Sequence, residues 1–298
     1  MLEFVKPTAP PKQHLARRRW SDVLWYATTR ISFAAMCAGR QSTCASARKL
    51  MIRLMHRQHE SSRNRRANVA NAENHLIQLL PRKDRTQLLA ACEHVELALS
   101  KILCESGNPT RHVYFPTEGF VSLMGLNNGS PDLEIGMVGR EGMLGAQVAL
   151  GVATTPLRAR VQGAGRAWRI GTADFRTELT RSAALRRNVD RYIYVLMAQM
   201  VTSAACPRFH QIGPRLARCL LMSQDRAHDN NFQVTQEVLA YRLGVRRVGI
   251  TAAAGVLQND GLIEYRRGDL TVLDRRGLEA AACSCYASDQ KAYAELLQ

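Results

Sequence analysis

Two adjacent arginines, Arg246 and Arg247, stand at the start of a predicted helix. A cation at a helix N-terminus is opposed by the helix dipole, and a phosphate group or the acceptor edge of a guanine would relieve that opposition. Val248 and Ala252 lie on the helix face opposite its apolar stripe, with Thr251 beside them. These residue types fit a polyanion that also offers apolar groups for contact.

The neighbouring residues predict two short helices joined by a tight turn. Thr235 fits the N-cap of the first helix, and Gln236 and Glu237 fill its first turn. Gly244 fits the turn, which needs a positive φ. The second helix runs from about residue 246 to residue 259. Its buried stripe recurs at helical spacing and comprises Ile250, Ala253, Ala254 and Leu257. The arrangement indicates a helix-turn-helix, which places its second helix in the major groove of DNA.

Two short apolar runs, residues 262–265 and 270–273, follow this motif and predict a hairpin. Arg266 and Arg267 open its tip, which closes at Asp269. Guanidinium groups at a hairpin tip can hold phosphates or enter the minor groove, and an ordinary charged turn explains them equally well. A hairpin in this position makes the helix-turn-helix a winged one.

The length of the chain and the distribution of its charge bear on the number of domains and on the nature of the N-terminal segment. The 298 residues leave room for two domains, and the net charge of +16 favours a polyanionic partner. Residues 1–70 carry a net charge of +11 and residues 71–298 only +5, so most of the basicity is N-terminal. Residues 1–72 are predicted to be a basic, disordered extension. The alternative is that this segment precedes the true start, which would then be Met51, Met55 or beyond.

The 8 cysteines predict neither a disulfide framework nor a metal site. None forms a C-x-x-C pair, and no cysteine pair lies near a histidine pair at zinc spacing. Cys283 and Cys285 are interpreted as two reduced thiols, with a redox or metal role as the alternative. We therefore predict no metal and no cofactor, and a reducing cytoplasm as the location. The apolar stretch at residues 23–38 is interrupted by Arg30 and is short for a membrane span, so no membrane partner is expected.

Residues 73–180 have the pattern of a β domain. Two short helices split by Pro81 come first, and Gly- and Asn-rich turns then separate short strands. The predicted strands are residues 95–99, 112–115, 120–126, 133–138 and 158–170. Short strands at this spacing predict a small antiparallel β-barrel or jelly roll.

A long helix is predicted from about residue 182 to residue 205, ended by Pro207. Its apolar residues recur at three- and four-residue steps and include Leu185, Val189, Ile193, Leu196 and Met200. Because the helix joins two domains, this stripe is predicted to pair with the same helix of a second chain; a plain core face is the alternative. A further helix at residues 214–226 opens the C-terminal domain.

The predicted fold class is α+β, in four parts. Residues 73–180 form an antiparallel β-barrel or jelly-roll sensor domain, and residues 181–207 form the dimerisation helix. Residues 208–298 form a winged helix-turn-helix domain, and residues 1–72 are the extension.

Three segments carry a resemblance to a known family: residues 112–119 (HVYFPTEG), 139–145 (GREGMLG) and 235–263. In their order and spacing the chain resembles the Crp/Fnr family of bacterial transcription regulators, over roughly residues 74–286. The resemblance implies a homodimer that binds a pseudo-palindromic site in double-stranded DNA. It also implies an effector-sensing β domain and a contact with RNA polymerase.

The resemblance leaves the effector open. The candidate pocket residues are Gly139, Glu141, Gly145, Arg158 and Arg160. Family members that bind cyclic nucleotides hold the ribose with a Glu and the cyclic phosphate with an Arg-Ser or Arg-Thr pair, and the corresponding positions here are Ala146, Thr155 and Pro156. An uncompensated buried phosphate is costly, so a cyclic nucleotide is disfavoured. A shift of two or three residues would bring Arg158 or Arg160 into place, which keeps that ligand as an alternative.

The expected function is that of a sequence-specific DNA-binding transcription regulator. The residues expected at the DNA are Thr235, Gln236, Arg246, Arg247, Val248, Thr251, Ala252, Arg266 and Arg267. Val248 and Ala252 replace a Glu and an Arg with which the family often reads bases, so contacts to thymine methyl groups are expected instead. No enzymatic activity is expected, since the β region lacks the His-x-His pair of a metal-dependent oxygenase. A non-specific architectural nucleic-acid binder, driven by the basic extension, is the alternative.

Overall fold

The computed structural model describes residues 74–127, 130–227 and 230–297, all within the unit Asn68–Gln298. The basic extension predicted for residues 1–72 lies outside the described residues, as do the alternative starts at Met51 and Met55. Across the described residues, no helix has both the length and the apolar character that a membrane crossing requires.

Two short helices precede the β domain and are split by Pro81, as predicted: α1 His75–Gln78 and α2 Arg82–Ala90. The strands that follow are β1 Glu93–Leu97, β2 Ile102–Cys104, β3 His112–Pro116, β4 Phe120–Asn127, β5 Ser130–Val138, β6 Leu157–Gly163 and β7 Gly165–Gly171. A 3₁₀ turn, Ala146–Leu150, lies between β5 and β6.

Among the described residues these strands form two antiparallel sheets, ordered β1-β7-β3 and β2-β6-β4-β5. Val121 and Ala159 from one sheet and Ala167 from the other belong to the same buried cluster, so the two sheets share a core. The predicted antiparallel β domain is thereby confirmed.

The single strand predicted at residues 158–170 is in fact two strands, β6 and β7, separated at Ala164. Glycines make this break sterically feasible. A Cβ added at Gly165 would lie 2.3 Å from the backbone of Glu118, and one at Gly119, where φ is +70°, would lie 2.3 Å from the carbonyl of Gly163. The two turns therefore touch through their backbones, which periodicity in the sequence does not reveal.

Helix α3, Thr172–Arg181, leads into the long helix α4, Ala183–Phe209. Pro207 does not end α4 as predicted but lies inside its last turn. Proline lacks an N–H group and removes one hydrogen bond, a loss that is tolerated here close to the helix end. The backbone N–H of His210 donates to the carbonyl of Cys206 at 3.0 Å and closes the helix.

The apolar residues of α4 divide into buried and exposed sets. Leu185 and Val189, predicted at a dimer interface, are buried in the core of the chain itself, so they offer a partner no surface. The other three predicted interface residues, Ile193, Leu196 and Met200, are half-buried. The large apolar side chains that α4 exposes are instead Tyr194, Met197 and Val201, at 63%, 58% and 69% exposure, and Phe209 at the end of the helix, at 75%.

The C-terminal domain comprises α5 Ile212–Ala227, β8 Asn231–Gln233, α6 Gln236–Leu243, α7 Arg247–Asn259, β9 Ile263–Arg266, β10 Asp269–Val272, α8 Arg275–Ala281 and α9 Cys285–Leu296. Helix α5 begins at Ile212, two residues before the predicted start, and buries Leu216, Leu220 and Leu221. Strand β8, which was not predicted, pairs with β10 and gives the wing a third strand.

Candidate nucleic-acid interface and ligand cavity

The residues that begin and end the two helices of the helix-turn-helix have the predicted positions in the structure. The Thr235 hydroxyl accepts a hydrogen bond from the backbone N–H of Val238 at 3.2 Å and caps α6. Gly244 ends α6 in the left-handed conformation, with φ of +63°. Arg246 then takes the N-cap position of α7, without a side-chain capping bond.

Helix α7 buries one face and exposes the other. Its buried residues are Ile250, Ala253, Ala254 and Leu257, the four predicted. The opposite face carries Arg246, Arg247, Val248, Thr251 and Ala252, all exposed. Val248 is 72% exposed, more than any other large apolar side chain described in the C-terminal domain. An exposed valine between arginines and a threonine fits a surface that contacts base edges, including thymine methyl groups.

Two residues predicted at the DNA are bonded to each other. The Thr251 hydroxyl donates to Oε1 of Gln236 at 2.6 Å, across the turn between α6 and α7. This bond fixes the amide of Gln236 with its oxygen engaged, so its nitrogen remains a donor for another acceptor. Bases and phosphates both offer such acceptors at the start of a recognition helix.

The wing tip is a two-residue turn formed by Arg267 and Gly268, whose φ angles are +51° and +93°. Positive φ at both positions is the geometry of a type I′ hairpin turn. Arg266 is the last residue of β9, within the strand, and pairs with Glu264 at 2.9 Å. The carbonyl of Gly268 accepts from the N–H of Val234 at 2.8 Å, so the tip lies beside the start of α6.

The four exposed arginines of α7 and the wing differ in whether they form an ion pair. Among the described residues, Arg246, Arg247 and Arg267 have no ion-pair partner, whereas Arg266 is paired with Glu264. Three guanidinium groups on α7 and the wing are therefore available to phosphates or base edges, and the fourth would have to exchange its carboxylate for them.

A cavity of about 730 Å³ lies in the β domain. Of the five predicted pocket residues, Gly145 lines it, while Gly139, Glu141, Arg158 and Arg160 do not. Ala146, Thr155 and Pro156, which correspond to the positions with which family members hold a cyclic nucleotide, do line it. The lining is mostly apolar, and its ionisable residues are Cys104, Glu105, Arg111 and His112.

The cavity is closed on one side by α4. The residues that α4 contributes are Ile193, Leu196, Met197 and Met200. Three of these were predicted at the dimer interface, and their half-buried side chains face the cavity instead. Met197 lines the cavity and is also one of the exposed apolar residues of α4, at 58% exposure. A ligand in the cavity would therefore contact the same helix that presents the exposed apolar residues.

Arg158 and Glu141 serve other partners. The Arg158 guanidinium pairs with Glu105, a cavity-lining residue, at 2.8 Å, and Arg160 is exposed on β6. Glu141 accepts hydrogen bonds from the N–H of Gly139 at 3.0 Å and from Nε of Arg226, on α5, at 2.8 Å. The glycine turn of the β domain thus binds the helix-turn-helix domain rather than the cavity.

A second ion pair joins the same two parts of the chain. The Arg242 side chain, on α6, is buried and donates to Glu134 of β5 at 2.9 and 3.1 Å. It also donates to the Ser223 hydroxyl at 3.1 Å, and the Ser122 hydroxyl donates to Glu134. The first helix of the helix-turn-helix is therefore attached to the β domain, while the outer face of α7 stays exposed.

Comparison with known proteins agrees with this architecture. Residues 214–281 match the family model of the Crp-like helix-turn-helix domain. The chain is similar to the solved structure of FixK2 from Bradyrhizobium japonicum, at 12% identity and a TM-score of 0.56, over 64% of this chain and 98% of that one. It is also similar to the c-di-GMP responsive global regulator CLP of Xanthomonas campestris, at 17% identity and a TM-score of 0.54, over 65% and 100%. A search of curated proteins found no match.

A third similar structure is a CRP/FNR family transcriptional regulator from Thermus thermophilus, at 19% identity and a TM-score of 0.53, over 64% of this chain and 98% of that one. At these identities the solved structures bear on the fold alone, and they share the predicted α+β architecture. The helix-turn-helix match is specific to the segment that carries the exposed arginines of α7. Residues 214–281 therefore form a Crp-like helix-turn-helix domain, and the chain shares its fold with solved structures of Crp/Fnr regulators.

Proposed function

We propose that the protein is a sequence-specific regulator that binds a pseudo-palindromic DNA site as a homodimer, under the control of a ligand in the β-domain cavity. The observation that carries this proposal is the exposed outer face of α7, with two unpaired arginines beside an uncovered valine. Such a face has no function within the chain itself, and its residue types match base edges and phosphates.

Recognition would proceed through α7 and the wing together. Arg246 and Arg247 stand at the N-terminus of α7, where recognition helices approach base edges. Gln236 is held by Thr251, and Arg267 is at the wing tip, beside the start of α6; both would contact the DNA backbone. Thr235 and Ala252 complete this surface, and Arg266 would join it by leaving Glu264.

Dimerisation is proposed through the C-terminal half of α4. Tyr194, Met197 and Val201 are spaced three and four residues apart, so they form one exposed stripe. The preceding turns expose charges instead, including the Arg186–Asp190 pair. A second copy of the chain would cover the stripe by an antiparallel or parallel helix pair with two-fold symmetry. Two α7 helices could then reach half-sites about 34 Å apart.

The effector is proposed to be a largely apolar molecule. Leucine, isoleucine and methionine side chains dominate the cavity, and Arg111 is its one lining arginine or lysine. A cyclic nucleotide would bury a phosphate where Ala146, Thr155 and Pro156 stand, with little to compensate its charge. Because α4 forms one wall of the cavity and also carries the exposed stripe, a bound ligand would contact the helix of the proposed dimer interface. Contact with RNA polymerase, implied by the family resemblance, stays a prediction without assigned residues.

Selection from a pool of random duplexes with the purified full chain tests the DNA-binding proposal. We expect a selected motif with two inverted half-sites, and affinity for it that exceeds affinity for random DNA by at least about 10³-fold at physiological salt. Uniform binding of all sequences with a steep salt dependence, abolished by deleting residues 1–72, would instead favour the architectural alternative.

Thermal denaturation in the presence of small molecules tests the effector proposal. We expect apolar and amphipathic compounds to raise the melting temperature, because a ligand that binds the native state stabilises it. Cyclic AMP and c-di-GMP should leave it unchanged. A saturable increase with either nucleotide and none with apolar compounds would reverse the assignment.

A further inference from the structure

Four side chains with metal-binding atoms meet at the junction between the long helix and the C-terminal helix. Cys206 and His210 lie one turn apart at the end of α4, and Cys283 and Cys285 lie at the start of α9. Their thiol sulfur and imidazole nitrogen atoms all lie within 4.8 Å of one another. No other such group of three or more side chains occurs in the part of the chain that the structure describes.

The distances match those of a tetrahedral site. Sγ of Cys206 lies 3.6 Å from Sγ of Cys283, and Sγ of Cys285 lies 3.5 Å from Nδ1 of His210. Around Zn²⁺, with bonds of about 2.3 Å to sulfur and about 2.0–2.1 Å to nitrogen, the ligand atoms would be about 3.5–3.8 Å apart. Three cysteines and one histidine are also a complete ligand set for a structural zinc site.

The cluster is shielded from solvent. The three cysteines are at most 9% exposed, and His210 is half-buried. Four protein ligands leave no open coordination position for water or substrate, so the geometry is that of a structural site rather than a catalytic one.

One buried arginine stands beside the cluster. Arg218 lies next to the cluster and is held by Asp289 at 2.7 Å and by the Ser203 hydroxyl at 3.2 Å. A Cys₃His zinc centre has one net negative charge, and the Arg218 guanidinium, which also pairs with Asp289, would offset part of it.

Backbone hydrogen bonds hold the ligands in place. The N–H of His210 donates to the carbonyl of Cys206, and the N–H of Cys283 donates to the carbonyl of Pro214 at 3.2 Å. The N–H of Tyr286 donates to the carbonyl of Cys283 at 3.0 Å. The site therefore connects the end of α4, the start of α5 and the start of α9.

We propose that Cys206, His210, Cys283 and Cys285 bind one Zn²⁺ ion in tetrahedral coordination, and that this ion fastens the end of the long helix to the C-terminal segment. The sequence predicted no metal site, and this proposal replaces that expectation. The predicted helix end at Pro207 separated Cys206 from His210, whereas α4 continues to Phe209 and His210 is its C-cap residue, with its N–H bonded to the carbonyl of Cys206. The pair at Cys283 and Cys285 alone does not suffice for a site.

Metal analysis of the full chain, purified under reducing conditions, tests the proposal. We expect one zinc per chain, and less than a tenth of that in the variants Cys283→Ser and Cys285→Ser. Cys219→Ala is the matched control, because burial raises the pKa of Cys219 to about 11 and this thiol lies outside the cluster. Zinc retained by both cluster variants, or lost equally from the control, would overturn the assignment.

A second measurement on the unaltered protein avoids variants that fail to fold. After chelation, titration with Co²⁺ should give the visible absorption of a tetrahedral centre and thiolate charge-transfer bands that saturate at one equivalent. Bound Zn²⁺ should protect three thiols per chain from a thiol reagent. Protection of no thiol, or an octahedral Co²⁺ spectrum, would refute the site. Failure to bind metal, together with a Cys206–Cys283 disulfide found by mass spectrometry in air, would identify a redox pair instead.

Discussion

Arg247 is the residue whose loss should change sequence preference. It opens α7, is exposed, and stands beside Val248 on the outer face of the helix. Arg247→Ala should weaken binding to the selected site by about 1–3 kcal/mol and relax the preference at one base pair of each half-site. Fluorescence anisotropy with the selected duplex and its single-base variants measures both effects.

Arg267→Ala provides the comparison, because its position in the wing turn suits a phosphate contact. That variant should weaken binding to all duplexes by a similar factor and lower the salt dependence. If Arg247→Ala behaves in the same way, Arg247 contacts phosphate and bases are read by other residues.

The buried pair of Arg242 and Glu134 has a different role, in stability. Glu134→Gln would leave a buried guanidinium group without its counter-charge, and we expect a loss of about 3–5 kcal/mol in the free energy of unfolding. The exposed pair of Lys291 and Glu295 is a suitable control, and Glu295→Gln should cost no more than about 1 kcal/mol. Urea denaturation of the two variants compares them.

The double variant Glu134→Gln, Arg242→Met tests whether the stability loss of Glu134→Gln comes from the uncompensated charge of Arg242. It should recover most of the stability that Glu134→Gln loses, because the uncompensated charge is then absent. If the double variant is as unstable as the single one, packing around Arg242, including its contact with Ser223, is the larger contribution.

At the scale of elements, the sequence predicts features that neighbouring residues determine, but not features that depend on contacts between distant segments. The cap at Thr235, the positive φ at Gly244 and the period of the α7 stripe each act within one or two turns, so the sequence displays them. The break between β6 and β7 depends on a backbone contact with Glu118, some 45 residues earlier in the chain. The end of α4 depends on whether the helix tolerates a proline near its terminus. It tolerates Pro207, which lies inside its last turn.

The exposed stripe of α4 yields a prediction about assembly. Met197→Glu with Val201→Glu would place two carboxylates where a second helix is expected to pack, and an unpaired buried charge is strongly unfavourable. We expect this double variant to be monomeric and to bind the selected duplex at least about tenfold more weakly, since a monomer contacts one half-site. Sedimentation equilibrium measures the assembly state.

Val152→Glu is the control for that experiment, because Val152 is also a large exposed apolar residue but lies outside α4. It should remain dimeric. A double variant that stays dimeric would show that the stripe is not the interface, and the half-buried residues Ile193 and Met200 would then act only as the cavity wall.

At the scale of the whole molecule, residues distant in sequence determine how the parts are joined. Glu141 was expected at an effector because it follows a glycine turn, yet it pairs with Arg226, 85 residues later. The Arg158 side chain was expected to bind a ligand and instead neutralises Glu105 at the cavity edge. No local pattern distinguishes a carboxylate that meets a ligand from one that meets a guanidinium group, so these roles required the fold.

Three connections between the long helix, the β domain and the helix-turn-helix domain follow from these pairings. Two are the ion pairs at Glu134 and Glu141, and the third is the proposed metal site at the end of α4. The C-terminal helix α9 also bonds to α4 directly, since Nε2 of Gln199 donates to the Tyr293 hydroxyl at 3.1 Å. Apolar packing also holds α9 against the core that includes α4, through the buried Leu297 and the partly buried Tyr293 and Leu296. The proposed metal would add a crosslink to this junction.

Removal of the metal should loosen this junction selectively. After chelation of zinc from the full chain, we expect faster amide exchange in α9 and around the end of α4, because their crosslink is lost and local opening becomes less costly. Strand β3, inside the β domain and away from the cluster, should keep its protection. Hydrogen exchange followed by mass spectrometry resolves these segments. Re-addition of Zn²⁺ should restore slow exchange in the unaltered protein but not in Cys285→Ser. Faster exchange in β3 to the same extent would indicate global destabilisation, and unchanged exchange in α9 would mean that the ion does not join the two helices.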